Sequence, residues 1–197
     1  MIRPRGTSLG RIPNLAAASA AAMLLCLGPL RAPAAPAGAA CGNGLLETGE
    51  SCESCPADCK IEPCAAGKLS STFDVEVSAP TGKLPSAVTV RLSYRSKQLG
   101  LPGNASEPSV RQRIESDAQP PVLIANDLGY AVRVVVAKGG GFGTSPLFRI
   151  RFDQCAGATA ADIGDLACVV EGCSGASGAI EGCACVLRAS PGISSKR

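Results

Sequence analysis

Residues 128–153 constrain the fold more than any other stretch. They read LGYAVRVVVA, then KGGGFGTS, then PLFRIRFD. In the first run Tyr130, Val132, Val134 and Val136 share one face, with Ala131, Arg133 and Val135 on the other. In the second, Phe148, Ile150 and Phe152 alternate with Arg149, Arg151 and Asp153. A period of two, with β-branched and aromatic residues on one side, marks strands with one buried face. Gly139, Gly140, Gly141 and Gly143 free the connection to adopt left-handed backbone, so the pair reads as a hairpin. Its apolar face has to be covered by another layer, which puts it at the centre of a β-sandwich.

The flanking sequence supports that class. Phe73, Val75 and Val77 alternate with Asp74, Glu76 and Ser78, and Val88, Val90, Leu92 and Tyr94 alternate with Thr89, Arg91, Ser93 and Arg95. Residues 109–114 read as a short edge strand with Arg111 and Arg113 outward. Residues 122–124 form a brief apolar run, and Asn126-Asp127 a turn into the hairpin. Residues 155–165 read as a loop with one helical turn, and 166–171 and 180–187 as the last strands. The expectation is an all-β, immunoglobulin-like sandwich of about seven to nine short strands. Outside the first 40 residues nothing repeats at 3.6, which disfavours a βαβ architecture.

Composition removes several function classes. The chain has no His, so neither Ser-His-Asp nor Cys-His catalysis, nor a His-ligated zinc centre, is available to it. There is no Trp, with two Tyr and four Phe, which leaves little for stacking on sugars or bases. The formal charge of +3 comes from the N-terminus: residues 1–40 hold Arg3, Arg5, Arg11 and Arg31 and no acid, and beyond them 15 basic residues face 16 acidic ones. With no basic run, nucleic-acid binding is not expected.

Residues 1–40 look like an address. Three arginines without an acid precede the apolar run LAAASAAAMLLCLGPL, and the small-residue stretch APAAPAGAA follows. Positive, apolar and small-residue regions in that order form an export signal. The apolar run falls short of the ~20 residues a spanning helix needs. The expected location is extracellular, periplasmic or cell-surface. Cys41, directly after Gly38-Ala39-Ala40, has the look of a lipid-accepting cysteine, which would provide the sole membrane attachment; the other reading makes it a disulfide cysteine.

Residues 41–64 form a cysteine-rich head. Cys41, Cys52, Cys55, Cys59 and Cys64 crowd a segment too short for its own core, as expected of a disulfide module in an oxidising compartment. Asn43, Glu47, Glu50 and Asp58 offer oxygens of the kind calcium takes, against the alternative of a solvated acidic surface. Residues 65–71 read as a linker, 72–188 as the sandwich and 189–197 as a frayed tail. Cys155, Cys168, Cys173, Cys183 and Cys185 cluster late. Five cysteines at each end leave one over in each cluster, so one bridge between head and sandwich would complete five disulfides. Cys183 and Cys185, two apart, project to one face and are expected to pin their strand to two different neighbours.

The head resembles cysteine-rich modules of secreted bacterial proteins with the pattern CGDGxCxxGExCxxCPxDC. Cys41, Gly42, Gly44, Gly49, Glu50, Cys52, Cys55, Pro56, Asp58 and Cys59 match, and Leu46 stands where that pattern has a cysteine. VTVRLSY, YAVRVVVA and PLFRIRFD together resemble the cohesin and carbohydrate-binding sandwich family, more narrowly cohesin-like exported proteins of myxobacterial type. That resemblance implies a non-catalytic module that holds a protein or polysaccharide partner at the cell surface. The alternative is a structural envelope component or lipoprotein without a dedicated ligand. No catalytic residue and no cofactor beyond calcium is expected. Asp153, Asp162 and Asp165 would form a carboxylate pair only if folding brought them together in a cleft. Arg91, Arg95, Arg133, Arg149 and Arg151 lie on outward strand faces, where they would meet an acidic partner, the protein's own acidic head, or solvent.

Overall fold

A computed structural model of the chain describes residues 40–62, 64–116, 122–143 and 146–190. All but the last residue of the expected export signal (1–40), and residues 191–197 of the expected tail, lie outside the described residues. One sheet holds β1 (Ala66–Ser78), β3 (Leu99–Gly100), β4 (Ile114–Glu115), β7 (Phe148–Cys155) and β10 (Ala184–Ala189). The other holds β2 (Ala87–Tyr94), β5 (Val122–Asp127), β6 (Ala131–Ala137), β8 (Leu166–Gly175) and β9 (Gly178–Ala179). We call these sheets A and B. Their orders are β10–β1–β7–β3, with β4 also on β7, and β5–β6–β2–β8–β9. Every described pairing is antiparallel. The protein is an all-β sandwich.

The core follows the period of two. Phe73 and Val75 (β1), Val88, Val90 and Leu92 (β2), Val132, Val134 and Val136 (β6) and Phe148, Ile150 and Phe152 (β7) are each at most 1% exposed. The Phe152 ring lies 5.0 Å from Tyr94 and 6.3 Å from Phe73, centroid to centroid. Each such side chain contributes roughly 1.5–3 kcal/mol by leaving water, which outweighs the modest strand propensities.

The two runs around the glycine loop do not form a hairpin. β6 pairs with β2 and β5 in sheet B, whereas β7 pairs with β1, β3 and β4 in sheet A. Between β6 and β7 the chain passes from one sheet to the other. Alternation reveals which face is buried but not which strand lies alongside, and facing sheets stand only ~10 Å apart. Gly141, at φ +84°, has no room for a side chain beside Leu84. The hairpin in this region is β5–β6, with Asp127 opposite Val132 and Gly129 at φ +82° in its turn. Asn126 and Asp127 are therefore part of β5 rather than the turn itself.

Other expectations change locally. Residues 109–114 are not an edge strand. Pro108–Arg111 is one turn of α-helix (α1), started by a proline whose fixed φ suits the first helical position, and β4 follows. Arg113 is not outward in solvent but nearly buried, 8% exposed, with Nη2 2.8 Å from Asp153 of β7. β1 begins at Ala66, inside the stretch read as a linker, and its register against β7 shifts between Ala66 and Ser70. The helical turn expected in 155–165 is the 3₁₀ turn Ile163–Asp165, capped by the Asp162 side chain.

Ten cysteines form five bridges: Cys41–Cys55, Cys52–Cys59, Cys64–Cys155, Cys168–Cys185 and Cys173–Cys183. One of them joins head to sandwich, as the count of five at each end implied. Cys183 and Cys185 do not reach two neighbours. Both bind cysteines of β8, in the opposite sheet, so these two bridges clamp sheet A to sheet B along one side. Cys185 on the edge strand β10 and Cys183 just before it both reach across the sandwich, and β8 supplies both partners. Cys41 Sγ is held by Cys55, and a sulfur in a disulfide cannot also carry a lipid thioether. Five disulfides belong to an oxidising, non-cytoplasmic environment. Among the described residues no helix is long and apolar enough to cross a membrane.

Candidate functional site

The outer face of sheet B divides in two. The head covers one half. Arg91 Nη1 donates to Leu46 O (2.9 Å), Ser93 Oγ donates to the same carbonyl (2.9 Å), and Arg95 Nε donates to Asn43 O (3.2 Å). Leu45 and Leu46 are each 5% exposed. Farther along, Ile61 packs so closely on Gly129 that a side chain there would collide with it, and Glu62 N–H donates to Ser96 Oγ (3.0 Å). Acids of the sandwich neutralise these arginines. Glu171 lies 3.0 Å from Arg91 Nε and 2.6 Å from Arg133 Nε, and Asp165 lies 2.9 Å from Arg95 Nη1. The hydrogen bonds and charge of Glu171 push the Arg133 pKa up. The head thus meets the sheet through its carbonyls and leucines, and one of its acids, Glu62, pairs with Lys97 of the sandwich (3.0 Å).

The other half carries no cover among the described residues. Cross-strand register places Ile124, Val135, Thr89 and Gly172 in one row, and Val122, Ala137, Ala87 and Ser174 in the next. Ile124 is 55% exposed and Val122 38%. At the end of these rows Leu84, also 55% exposed, stands between two depressions. One, about 560 Å³, is lined by Leu84, Ala87, Val122, Ala137 and the glycines at 139–141. The other, about 390 Å³, opens between the sheets and is lined by Val77, Leu84, Pro85, Val88, Phe142 and Val186. Small residues on the strands and a side-chain-free loop give a flat apolar shelf with a step at its end. The sequence signal for it is faint: Ile124 alternates outward in a run too short to show a period, and Leu84 sits in a turn.

The outer face of sheet A is charged. Arg188, Asp74, Arg149 and Glu115 fall in one cross-strand row over β10, β1, β7 and β4. Arg149 Nε is 2.7 Å from Asp74, and Arg188 Nε is 2.9 Å from Glu76. Opposite charges facing across strands stabilise a sheet and keep its face wet. Arg149 and Arg151 belong here, whereas Arg91, Arg95 and Arg133 belong to sheet B. The five arginines therefore do not share one surface.

Within the head, Asp58 is 2% exposed. It accepts N–H bonds from Gly42 (3.0 Å to each oxygen) and Gly44 (2.7 Å), glycines held at φ +94° and +80°. A carboxylate surrounded by N–H donors organises the loop. Asn43 Nδ2 instead donates to Glu47 (3.0 Å), and Glu50 accepts the Glu47 N–H (2.9 Å). Asn43, Glu47 and Glu50 are thus linked to one another, while Asp58 takes the backbone N–H groups on either side of Asn43. Among the described residues the one group of three potential metal ligands is Cys41, Cys55 and Asp58, whose two sulfurs form a bridge.

The remaining carboxylates serve the fold. Asp153 holds Arg113, Asp162 caps the 3₁₀ turn, and Asp165 takes Arg95 and the N–H of Asp162 (3.0 Å). At the same end of β2, Tyr94 O–H donates to Asp127 (2.7 Å), which also accepts the Gly129 N–H (2.9 Å). Burial pushes both pKa values up; for Tyr94 the Asp127 charge adds to it, and for Asp127 the two hydrogen bonds oppose it.

No family model, no curated protein and no solved structure matches the chain.

Proposed function

We propose that this protein is an exported, non-catalytic binding module with a cohesin-like role, which offers the uncovered half of sheet B to a protein or polysaccharide partner at the cell surface. The observation that carries this reading is the shelf of Ile124, Val122 and Leu84 beside the glycine loop. The other half of sheet B is covered by the docked head, and the outer face of sheet A carries a row of paired charges. An exposed apolar patch rimmed by polar residues is the usual mark of an interaction surface. The lack of His and the structural engagement of Asp153, Asp162 and Asp165 favour binding over turnover. Export accords with the five bridges and the N-terminal address.

The test is capture of partners from secreted and envelope fractions by the oxidised protein, with calcium and again with chelator, alongside Ile124→Glu. Saturable capture that the substitution abolishes is the expected result, and survival in chelator is expected because Asp58 is already taken by N–H donors. Capture unaffected by Ile124→Glu removes the shelf from the reading. No capture in either condition leaves a structural envelope component.

A further inference from the structure

The register shift in β1 opens a small cleft at one end of sheet A. It measures about 80 Å³ and is lined by the backbone at 66–70 with Lys68, Arg113, Arg151 and Asp153. Three cations meet here and one carboxylate. That carboxylate is engaged: Asp153 Oδ2 lies 2.8 Å from Arg113 Nη2. Arg113 is 8% exposed, so its charge sits beneath the cleft rather than in solvent. Lys68 and Arg151 are exposed, and neither has a salt-bridge partner among the described residues. The arrangement is built rather than incidental. A side chain at Gly67 would strike Gln154 O at 2.8 Å, so the glycine is what lets the bulged strand lie this close to β7. Arg113 is fixed from the backbone side as well, because Arg151 N–H donates to its carbonyl (2.9 Å).

We infer that this cleft binds a tetrahedral oxyanion, sulfate or phosphate, through Lys68, Arg113 and Arg151. The cations approach from three elements: Lys68 from β1, Arg113 from the turn before β4 and Arg151 from β7. That geometry suits an anion with oxygens in several directions better than a planar carboxylate, which a single guanidinium can satisfy. Since one water occupies about 30 Å³, the cleft has room for a few heavy atoms and none for a sugar ring. A polymer would insert only its ester group and leave its backbone outside. This site is on the opposite sheet from the shelf and stands or falls independently of it.

The experiment is a titration of the oxidised full-length protein, at constant ionic strength, with inorganic sulfate, inorganic phosphate, acetate and a sulfated polysaccharide. Amide shifts at residues 67–70 are followed by NMR. Saturable shifts with sulfate or phosphate are expected, with Lys68→Gln and Arg151→Gln each weakening affinity about tenfold, the loss of one charge-assisted contact. Both residues are exposed, so the variants keep the fold, and their unchanged amide spectra elsewhere check this. Tighter binding of the polysaccharide than of the free ion identifies an ester group as the source, and equal binding identifies the free ion. Absence of saturation, an equal response to acetate, or affinity unchanged in both variants overturns the assignment.

Discussion

The head and the sandwich hold themselves together in opposite ways. The sandwich buries a continuous set of valines, phenylalanines and leucines between two sheets, so each residue's contribution is backed by its neighbours. The head buries Leu45, Leu46 and Cys55, and otherwise depends on two short-range bridges and on Asp58 gathering the N–H groups of Gly42 and Gly44. The sandwich has a core of its own, whereas the head borrows the outer surface of sheet B as its second layer. A covalent framework thus substitutes for hydrophobic mass where the chain is too short to supply it.

The contrast is tested most severely at the bridge between the two parts. Cys64 and Cys155 are 91 residues apart, so removing both as serines is expected to lower stability by about 4–5 kcal/mol through the entropy of the unfolded chain. Denaturant titration reads this, and a loss below about 1 kcal/mol would mean that docking alone holds the head. Arg91→Met comes next, at about 2 kcal/mol, because it strips one donor each from Glu171 and the carbonyls of Leu46 and Glu47, which keep only Arg133, Ser93 and the Glu50 N–H. Hydrogen exchange is expected to speed up in the head and stay slow at Val90 and Val134. Equal acceleration in both would show that the head is part of one cooperative unit with the core.

The smallest effect lies within the sandwich and depends on pH. Burial raises the Asp127 pKa in the folded state. Stability from this group is therefore complete below the ordinary carboxylate range and is lost as pH rises through the raised value. Asp127→Asn keeps an acceptor for Tyr94 and Gly129 but cannot ionise. Relative to the parent it is expected to gain stability between acid and neutral pH, by less than about 1 kcal/mol since the site is partly solvated. A gain that does not vary with pH would assign the effect to packing instead.

Much of the sandwich is legible because burial on one face leaves a period of two. Val88 to Tyr94 and Phe148 to Phe152 announce their inward faces directly. Pairing is not legible in the same way, since β6 and β7 present the same pattern whether they lie side by side or face each other. The burial of Arg113 depends on Asp153, 40 residues away, and no local signal reports it. The head-to-sandwich bridge followed from parity, yet which strand receives Cys183 and Cys185 depends on sheet order. The shelf was least visible: Leu84, Val122 and Ile124 come together only through register and loop closure.

The crossing between β6 and β7 bears on how the chain matures. β1 pairs with β7 and β10, strands that lie far behind it in the chain, so sheet A stays open at β1 until nearly the whole chain is available to fold. The head's bridges span 14 and 7 residues and can close at once, whereas Cys64 waits for Cys155, 91 residues on. During that interval Cys64 is a live thiol among oxidised neighbours, exposed to capture by the wrong cysteine. Correct assembly thus falls to thiol–disulfide exchange, and the yield of the protein should depend on the isomerase capacity of the compartment that receives it.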